Sequence, residues 1–485
     1  MLRACLLLTL VSGCTRGGLV LAPGLPPVED DPFGLDQWWS AGDVALPGPA
    51  VDVAGVTAHT VDLDVDAWDG ETVTVTCRGG GDEHTRDTVA RAGEVVRFRG
   101  LLADQAYRCS VSNDGGRLST VGATTSVDEH PLPDVTVTGD PVELNDSYVL
   151  FNVFVDGLES NQQQVVITDA EGRLRWSTWL GDDAKGDVDS SWLGDDTVMY
   201  GGGYGVYPTQ LSLDGDQLWQ APRAPTSHSY HHQAREAADG SVITLTLTDD
   251  VYEGTDYHGH WVGAWTMDGE LAWSWTTAEA VEQGVLVPNF EDSDLFHANA
   301  AVEVDWPGCN LLVSLRDADA LMCVDRVSGD VAWVLQQDFT LLDDAGEAIA
   351  GDWPEGQHDP EPDGDKLLVF DNGPDREGDV QTRVIEYELD PSALTAQILW
   401  TYAEEGWDEV VWGGVERFGD DRVLIAFPHC SNGDPEDPAR SAIIGLDGDH
   451  EQAWRMQFDE ETVGIYRASL IDPCTIFENR RYCPG

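Results

Sequence analysis

Positive charge is what this sequence has least of. Its 26 Lys and Arg stand against 89 Asp and Glu, a formal net charge of −63. Such a chain has no means of neutralising phosphates, which excludes nucleic acid as a partner. The same excess makes for high solubility and little adhesion to anionic surfaces. The acids are scattered between apolar segments, so the composition is not that of a disordered tail. Long hydrophobic runs are missing too: Leu6-Leu7-Leu8-Thr9-Leu10-Val11 is too short to cross a bilayer. What is present suffices for a core. The 485 residues are 41% hydrophobic and 9% aromatic, which suits one large domain with a small one beside it.

Arg3, the short apolar run and Ser12-Gly13-Cys14 together resemble a bacterial lipoprotein signal, cleaved before Cys14 with a diacylglycerol on its thiol. Residues 1–13 are then signal peptide, and residues 14–44, with Pro26-Pro27 and Glu29-Asp30-Asp31, a flexible tether. The expected location is export, with lipid anchoring to a bacterial membrane on its periplasmic or cell-surface face. Disulfides are allowed there. Cys77 and Cys109 lie in two strand patterns and are predicted to pair, and Cys309 and Cys323 flank one hairpin. Cys430, Cys474 and Cys483 leave one thiol over.

Short alternating strands separated by Gly and Asp fill residues 45–128, the pattern of a small β-sandwich. The stretch Leu101 to Tyr107 resembles the corner before a fibronectin-type strand. From about residue 135 to the end the chain repeats. Each unit has an apolar strand ending in Asp, a turn, and a strand bearing Trp: Asp169 and Trp176, Asp214 and Trp219, Asp268 and Trp273, Asp325 and Trp333, Asp390 and Trp400, Asp447 and Trp454. Six such units predict an all-β fold, a six-bladed β-propeller after the sandwich. The tryptophans are expected between blades. Residues 250–262 and 338–356 are expected to be loops over the channel mouth.

Three histidines recur at one place in this repeat. His232, His297 and His358 each stand at the start of an apolar strand pair, in consecutive units. Inner strands of a propeller line its channel, so equivalent positions on successive blades converge. His228, His258 and His260 lack that context and read as loop histidines; His429 follows the strand Val423 to Phe427 and is placed within reach of the mouth.

With His231-His232-Gln233, His297-Ala298-Asn299, Ser314-Leu315-Arg316, Gln357-His358-Asp359, Phe370-Asp371-Asn372-Gly373 and Tyr466-Arg467-Ala468 in this order, the chain resembles the bacterial arylsulfate sulfotransferases, which do not use the nucleotide sulfate donor. Gln233, where that family often has an acid, and Asp317 after the arginine depart from its pattern. The resemblance implies transfer of a sulfuryl group from an aryl sulfate to a phenol through a sulfohistidine. It makes His358 the nucleophile, with His232, His297 and Arg316 completing the catalytic set. Asn299, His231 and His429 are placed as substrate contacts, and Arg316 is expected to be the one local cation. No cofactor is expected. The partners are a small aryl sulfate and a phenol, with the membrane touched only through the lipid; a homodimer is left open.

Other readings compete. Three histidines also suit a catalytic zinc in the channel. A quinoprotein-type redox propeller would carry an adjacent cysteine pair, which this sequence lacks. A surface lipoprotein that only binds a partner or ligand is the remaining alternative.

Overall fold

A computed structural model describes residues 46–155, 162–181, 184, 187–203, 205–288, 296–374, 376, 382–404, 407–428, 440–460 and 462–483. The export segment, Cys14 and the tether, as well as His429 and Cys430, lie outside these residues. The described chain is all-β. Among the described residues the α-helices are two short ones, Thr277–Glu282 and Leu335–Asp338. No helix is long and apolar enough to cross a membrane.

Two antiparallel sheets come first. One joins Asp52–Val56, Val61–Asp64 and Val95–Phe98. The other includes, side by side, Arg117–Thr124, Ala106–Ser112, Thr72–Gly79 and Asp82–Val89. Their alternating inward residues, among them Val61, Leu63, Val73, Val75, Phe98 and Val111, form one core around Trp68. This is the period-2 burial that the strand pattern requires. Cys77 and Cys109 pair directly across the central strands and are disulfide-bonded. The Tyr107 hydroxyl accepts the Leu102 backbone N–H at 2.8 Å, which fixes the corner before its strand.

Six further sheets follow, each an antiparallel ladder of four strands or more. Their first strands are Asp189–Gly194, Tyr230–Glu236, Ala298–Trp306, His358–Asp363 and Gly414–Phe418, with Ala468–Ile471 from the chain's far end completing the sheet of Tyr148–Val155. Each of these strands lies beside the next, and Ala468–Ile471 lies beside Asp189–Gly194. The two ends of the series are tied twice. Val135–Gly139 is the outermost strand of the last sheet, and the chain runs from it into the first. The Trp454 indole N–H also donates to the Ala170 carbonyl across the same seam, at 2.9 Å.

The repeated tryptophans explain much of the packing between sheets. Trp176 reaches the Leu213 carbonyl of the next sheet, and Trp454 is fully buried. Truncating such a ring costs roughly 3–5 kcal/mol. Trp273 and Trp400 depart from this pattern and are only partly buried. Trp400 stacks on His450, with ring centroids 4.0 Å apart.

The early sheets and the later ones meet through a buried ion cluster. The Arg175 guanidinium sits 2.6 Å from both Asp82 and Asp169 and donates to the Gly100 carbonyl at 3.0 Å. The chain end returns to the same place, where the Phe477 carbonyl contacts His84 Nδ1 at 2.9 Å. Two more disulfides, Cys309–Cys323 and Cys474–Cys483, staple a hairpin and this end.

Of the two expected loops, one is a hairpin and the other contains a short strand. Residues 250–262 belong to a hairpin of two long strands, Val242–Tyr252 and Thr255–Trp265. Its register is unbroken, and β-branched and aromatic residues extend it past the sheet. Within 338–356, Thr340–Leu342 forms a strand that pairs in parallel with the outer strand Thr395–Tyr402.

Candidate active site

Each of the three strands departs from regular pairing at its histidine or just after it. The ladder slips between His231 and Ala234, between Ala298 and Ala300, and between His358 and Glu361. His232 and Asp359 lie inside their slips in left-handed backbone, at φ of 61° and 44°, and His297, just before its strand, is left-handed too at 45°. For residues other than glycine this costs roughly 1–3 kcal/mol each. A bulge re-aims a side chain out of the strand's alternation. His232 is the histidine inside such a slip, while His358 pairs with Phe370 immediately before one.

The His232 ring centroid is 4.8 Å from that of His297 and 6.4 Å from that of His358. Tyr466 stands 5.8 Å from His232 and 6.5 Å from His358, edge to face. His358, Asn299 and Gln357 are fully buried. His297, Arg316 and Trp412 are half-buried and form the rim.

The hydrogen bonds of His358 assign its protons. Nδ1 faces two acceptors, Asn372 Oδ1 at 2.8 Å and the Gly356 carbonyl at 3.1 Å, so it carries the hydrogen. Nε2 receives the Trp412 backbone N–H at 3.2 Å, so it holds the lone pair. Burial pushes this imidazole well below its usual pKa, and the charge of Arg316 pushes it further. The result is a neutral ring with one basic nitrogen of fixed direction. Gly413 makes the approach of Trp412 possible. A Cβ there would lie 2.3 Å from the Phe370 ring, and its φ is 101°.

His232 is held from the other side. Its Nδ1 lies 3.0 Å from Asp187 Oδ2 and 2.9 Å from His231 Nδ1, and its Nε2 is 3.2 Å from His297 Nε2. Burial lowers the His232 pKa to about 4 against the pull of Asp187. Burial pushes the Asp187 carboxyl up, but His232 outweighs that and keeps it below its usual range. Asp187 therefore stays ionised and accepts a hydrogen bond from Nδ1–H, leaving the His232 Nε2 lone pair toward His297.

Other expected residues take different positions. Arg316 begins a short turn after its strand, its backbone N–H bonded to the His297 carbonyl, and its guanidinium pairs with Asp317 at 2.5 Å. It is not the one local cation. Arg467 lies buried under Tyr466, between Asp189 at 3.1 Å and Asp359 at 3.2 Å, and Arg235 neighbours Asp359 and Glu361. These two guanidinia are matched by acids, as buried charges must be. Asn299 is buried, and one of its amide hydrogens goes to the Gln357 carbonyl at 2.7 Å, which ties the His297 and His358 strands together. His231 turns toward His260, ring to ring 5.3 Å. His258 and His260 are not loop histidines; both lie in the strand Thr255–Trp265.

The sequence pattern of the arylsulfotransferase (ASST) family matches residues 148–467, a stretch that contains all of these residues. The chain belongs to this family. Among curated proteins none matches it. A solved structure of a Bacteroides caccae protein of unknown function resembles it at 13% identity and a TM-score of 0.42, covering 66% of this chain and 99% of that one. A chain of the nidogen–laminin complex does so at 11% identity and a TM-score of 0.37, covering 67% and 98%. Neither likeness bears on the chemistry. Arylsulfotransferases act on small aryl sulfates and phenols.

Asp187 and Trp412 were not singled out by the sequence. Asp187 leads into the first strand of its sheet, two residues before Asp189. Trp412 acts through its backbone, which no side-chain pattern signals.

Proposed function

We propose that this protein moves a sulfuryl group from an aryl sulfate to a phenol through a covalent intermediate on His358. The observation that carries the reading is the fixed tautomer of that ring, with Nδ1–H held by Asn372 and Gly356 and the lone pair on Nε2. Nε2 attacks sulfur, the S–N bond forms, and the aryl S–O bond breaks with its electrons leaving on the phenolate. As sulfur moves onto Nε2, the Trp412 N–H loses its acceptor beside oxygens where negative charge is developing. Arg316, at the rim, offers a planar fork for the same oxygens. In the second half the acceptor phenol gives its proton to His232 Nε2, with Asp187 stabilising the imidazolium. Its oxygen attacks sulfur, the S–N bond breaks, and the electron pair returns to Nε2.

The six sheets, with inner strands in a ring, support a six-bladed β-propeller over 135–485, preceded by a fibronectin-like β-sandwich over 45–128. The proposed setting is an exported lipoprotein anchored through Cys14. Brief exposure to an aryl sulfate without acceptor, followed by intact-protein and peptide mass spectrometry, tests the chemistry. The expected result is one sulfuryl mass on the peptide holding His358. An adduct on His232 or His297 would move the nucleophile, and no adduct with no phenol release would leave a protein that only binds.

A further inference from the structure

Outside this cluster, one group of side chains is arranged as a ligand set. Asp249 and His258 are direct cross-strand partners in the long hairpin, so their side chains share a face. His228, in the segment that leads into the strand Tyr230–Glu236, completes the group. Asp249 Oδ1 is 2.8 Å from His228 Nε2 and 3.2 Å from His258 Nδ1, and the two rings stand 5.1 Å apart at 81°. All three ligand atoms lie within 4.8 Å of one another, and among the described residues this is the group so placed. Ser227 Oγ donates to the other carboxylate oxygen at 2.8 Å and orients it. His258 Nδ1 is shielded from solvent yet makes no hydrogen bond, despite facing Asp249. A cation between them would give that nitrogen the partner it lacks.

We propose that His228, Asp249 and His258 bind a borderline divalent cation of the zinc class. The donor set selects it. Two imidazole nitrogens suit zinc, nickel or copper, and one carboxylate is too little oxygen for calcium or magnesium. Zinc bonds of about 2.0–2.1 Å in a tetrahedron put ligand atoms about 3.3 Å apart, near the 2.8 and 3.2 Å that separate the carboxylate oxygen from the two ring nitrogens. Three protein ligands leave a position open to solvent. The site sits beside the histidine cluster. His258 and His260 are two residues apart on one strand and therefore share a face, and His260 packs on His231. A cation here clips the hairpin to the segment entering the His231–His232 strand. It also adds positive charge near the site of a strongly acidic protein. The proposal stands whether or not His358 carries a sulfuryl group.

The test uses the full chain, stripped with chelator and titrated with Zn2+ by calorimetry, and with Co2+ by its visible spectrum. One Zn2+ per chain is expected, bound at least 10²-fold more weakly by His228→Ala and by His258→Ala, and unchanged in His297→Asn and His358→Asn. Melting curves without metal confirm that the exposed-site variants fold. Zn2+ binding that survives His228→Ala and His258→Ala but is lost in His297→Asn would put the metal in the buried cluster and overturn the assignment. No binding by the parent protein would also overturn it.

Discussion

The backbone N–H of Trp412 points at Nε2 of His358 from 3.2 Å. The amide belongs to a left-handed residue at φ 67°, followed by Gly413 in the same half of backbone space. The contact keeps the ring in one tautomer before substrate arrives, and its donor lies where transferred oxygens would gather. In the proposed mechanism nucleophile and electrostatic stabiliser would thus be in place together, which spares reorganisation during the reaction.

His358→Asn removes the only lone pair so prepared. Phenol-dependent release of a coloured phenol from an aryl sulfate should fall about 10⁴-fold or more. The sulfuryl adduct should vanish from the mass spectrum. An undiminished adduct would assign the nucleophile elsewhere.

Asn372→Ala leaves Nδ1 with only the Gly356 carbonyl, so the ring can turn or change tautomer. Turnover should drop about 10²-fold, the usual scale for a mispositioned acid–base group. Nitrogen-15 spectra of the histidines should show His358 as a mixture of tautomers. A single unchanged tautomer with lowered turnover would mean that Asn372 acts otherwise.

Asp187→Asn separates the two half-reactions. A good aryl leaving group needs no proton, so the first transfer should persist and the burst of coloured phenol should remain. The second transfer depends on His232 as base and should slow about 10²–10⁴-fold. The adduct should then accumulate even with acceptor present. Loss of the burst itself would show that Asp187 serves the first step.

Much of this arrangement was legible in the sequence, for identifiable reasons. His232, His297 and His358 recur at equivalent places because a repeated sheet repeats its own geometry, and the Asp-to-Trp units mark each sheet. Cys77 and Cys109 could be paired because each sits in an alternating strand. What was not legible depends on atoms without a residue signature. Trp412 contributes a backbone N–H. The hairpin of Asp249 and His258 read as a loop because its polar residues hide the strand period. Arg467 read as a C-terminal signature because its partners Asp189 and Asp359 are about a hundred residues or more away in the chain.

The pH dependence of kcat/KM should reveal how the basic nitrogens are kept free. Burial first, and then the Arg316 charge, hold His358 well below its usual range, and burial brings His232 to about 4. Both rings are therefore neutral through mildly acidic pH, and the acid limb should fall below pH 5 instead of near the ordinary histidine value of about 6.5. Arg316→Ala removes the depressing charge from both rings, so the limb should move to higher pH. The plateau should also drop about 10²–10³-fold for the lost oxyanion donor. A lower plateau with an unmoved limb would show that Arg316 binds oxygens without tuning the histidines.

Stability should have a maximum in mildly acidic solution, set by groups of opposite sign. His84 and His232 are buried and lowered to about 4. The unfolded chain protonates them below about 6.5, and the folded chain does so only near 4. Their contribution is present above 6.5 and is lost as pH falls toward 4. Glu416 runs the other way. Burial, helped by the neighbouring Glu361, raises it to about 8 against the Leu470 N–H that donates to it. The folded chain keeps that proton where the unfolded chain has released it, so its contribution is full below about 4.5 and is lost as pH rises to 8. The two trends cross near pH 6, where the melting temperature should peak. Glu416→Gln keeps the side chain neutral and able to accept the Leu470 N–H. It should flatten the decline between pH 6 and pH 8, steepen the rise between about 4.5 and 6, and leave the slope below about 4.5 unchanged. A decline as steep in Glu416→Gln as in the parent would place the alkaline-sensitive group elsewhere.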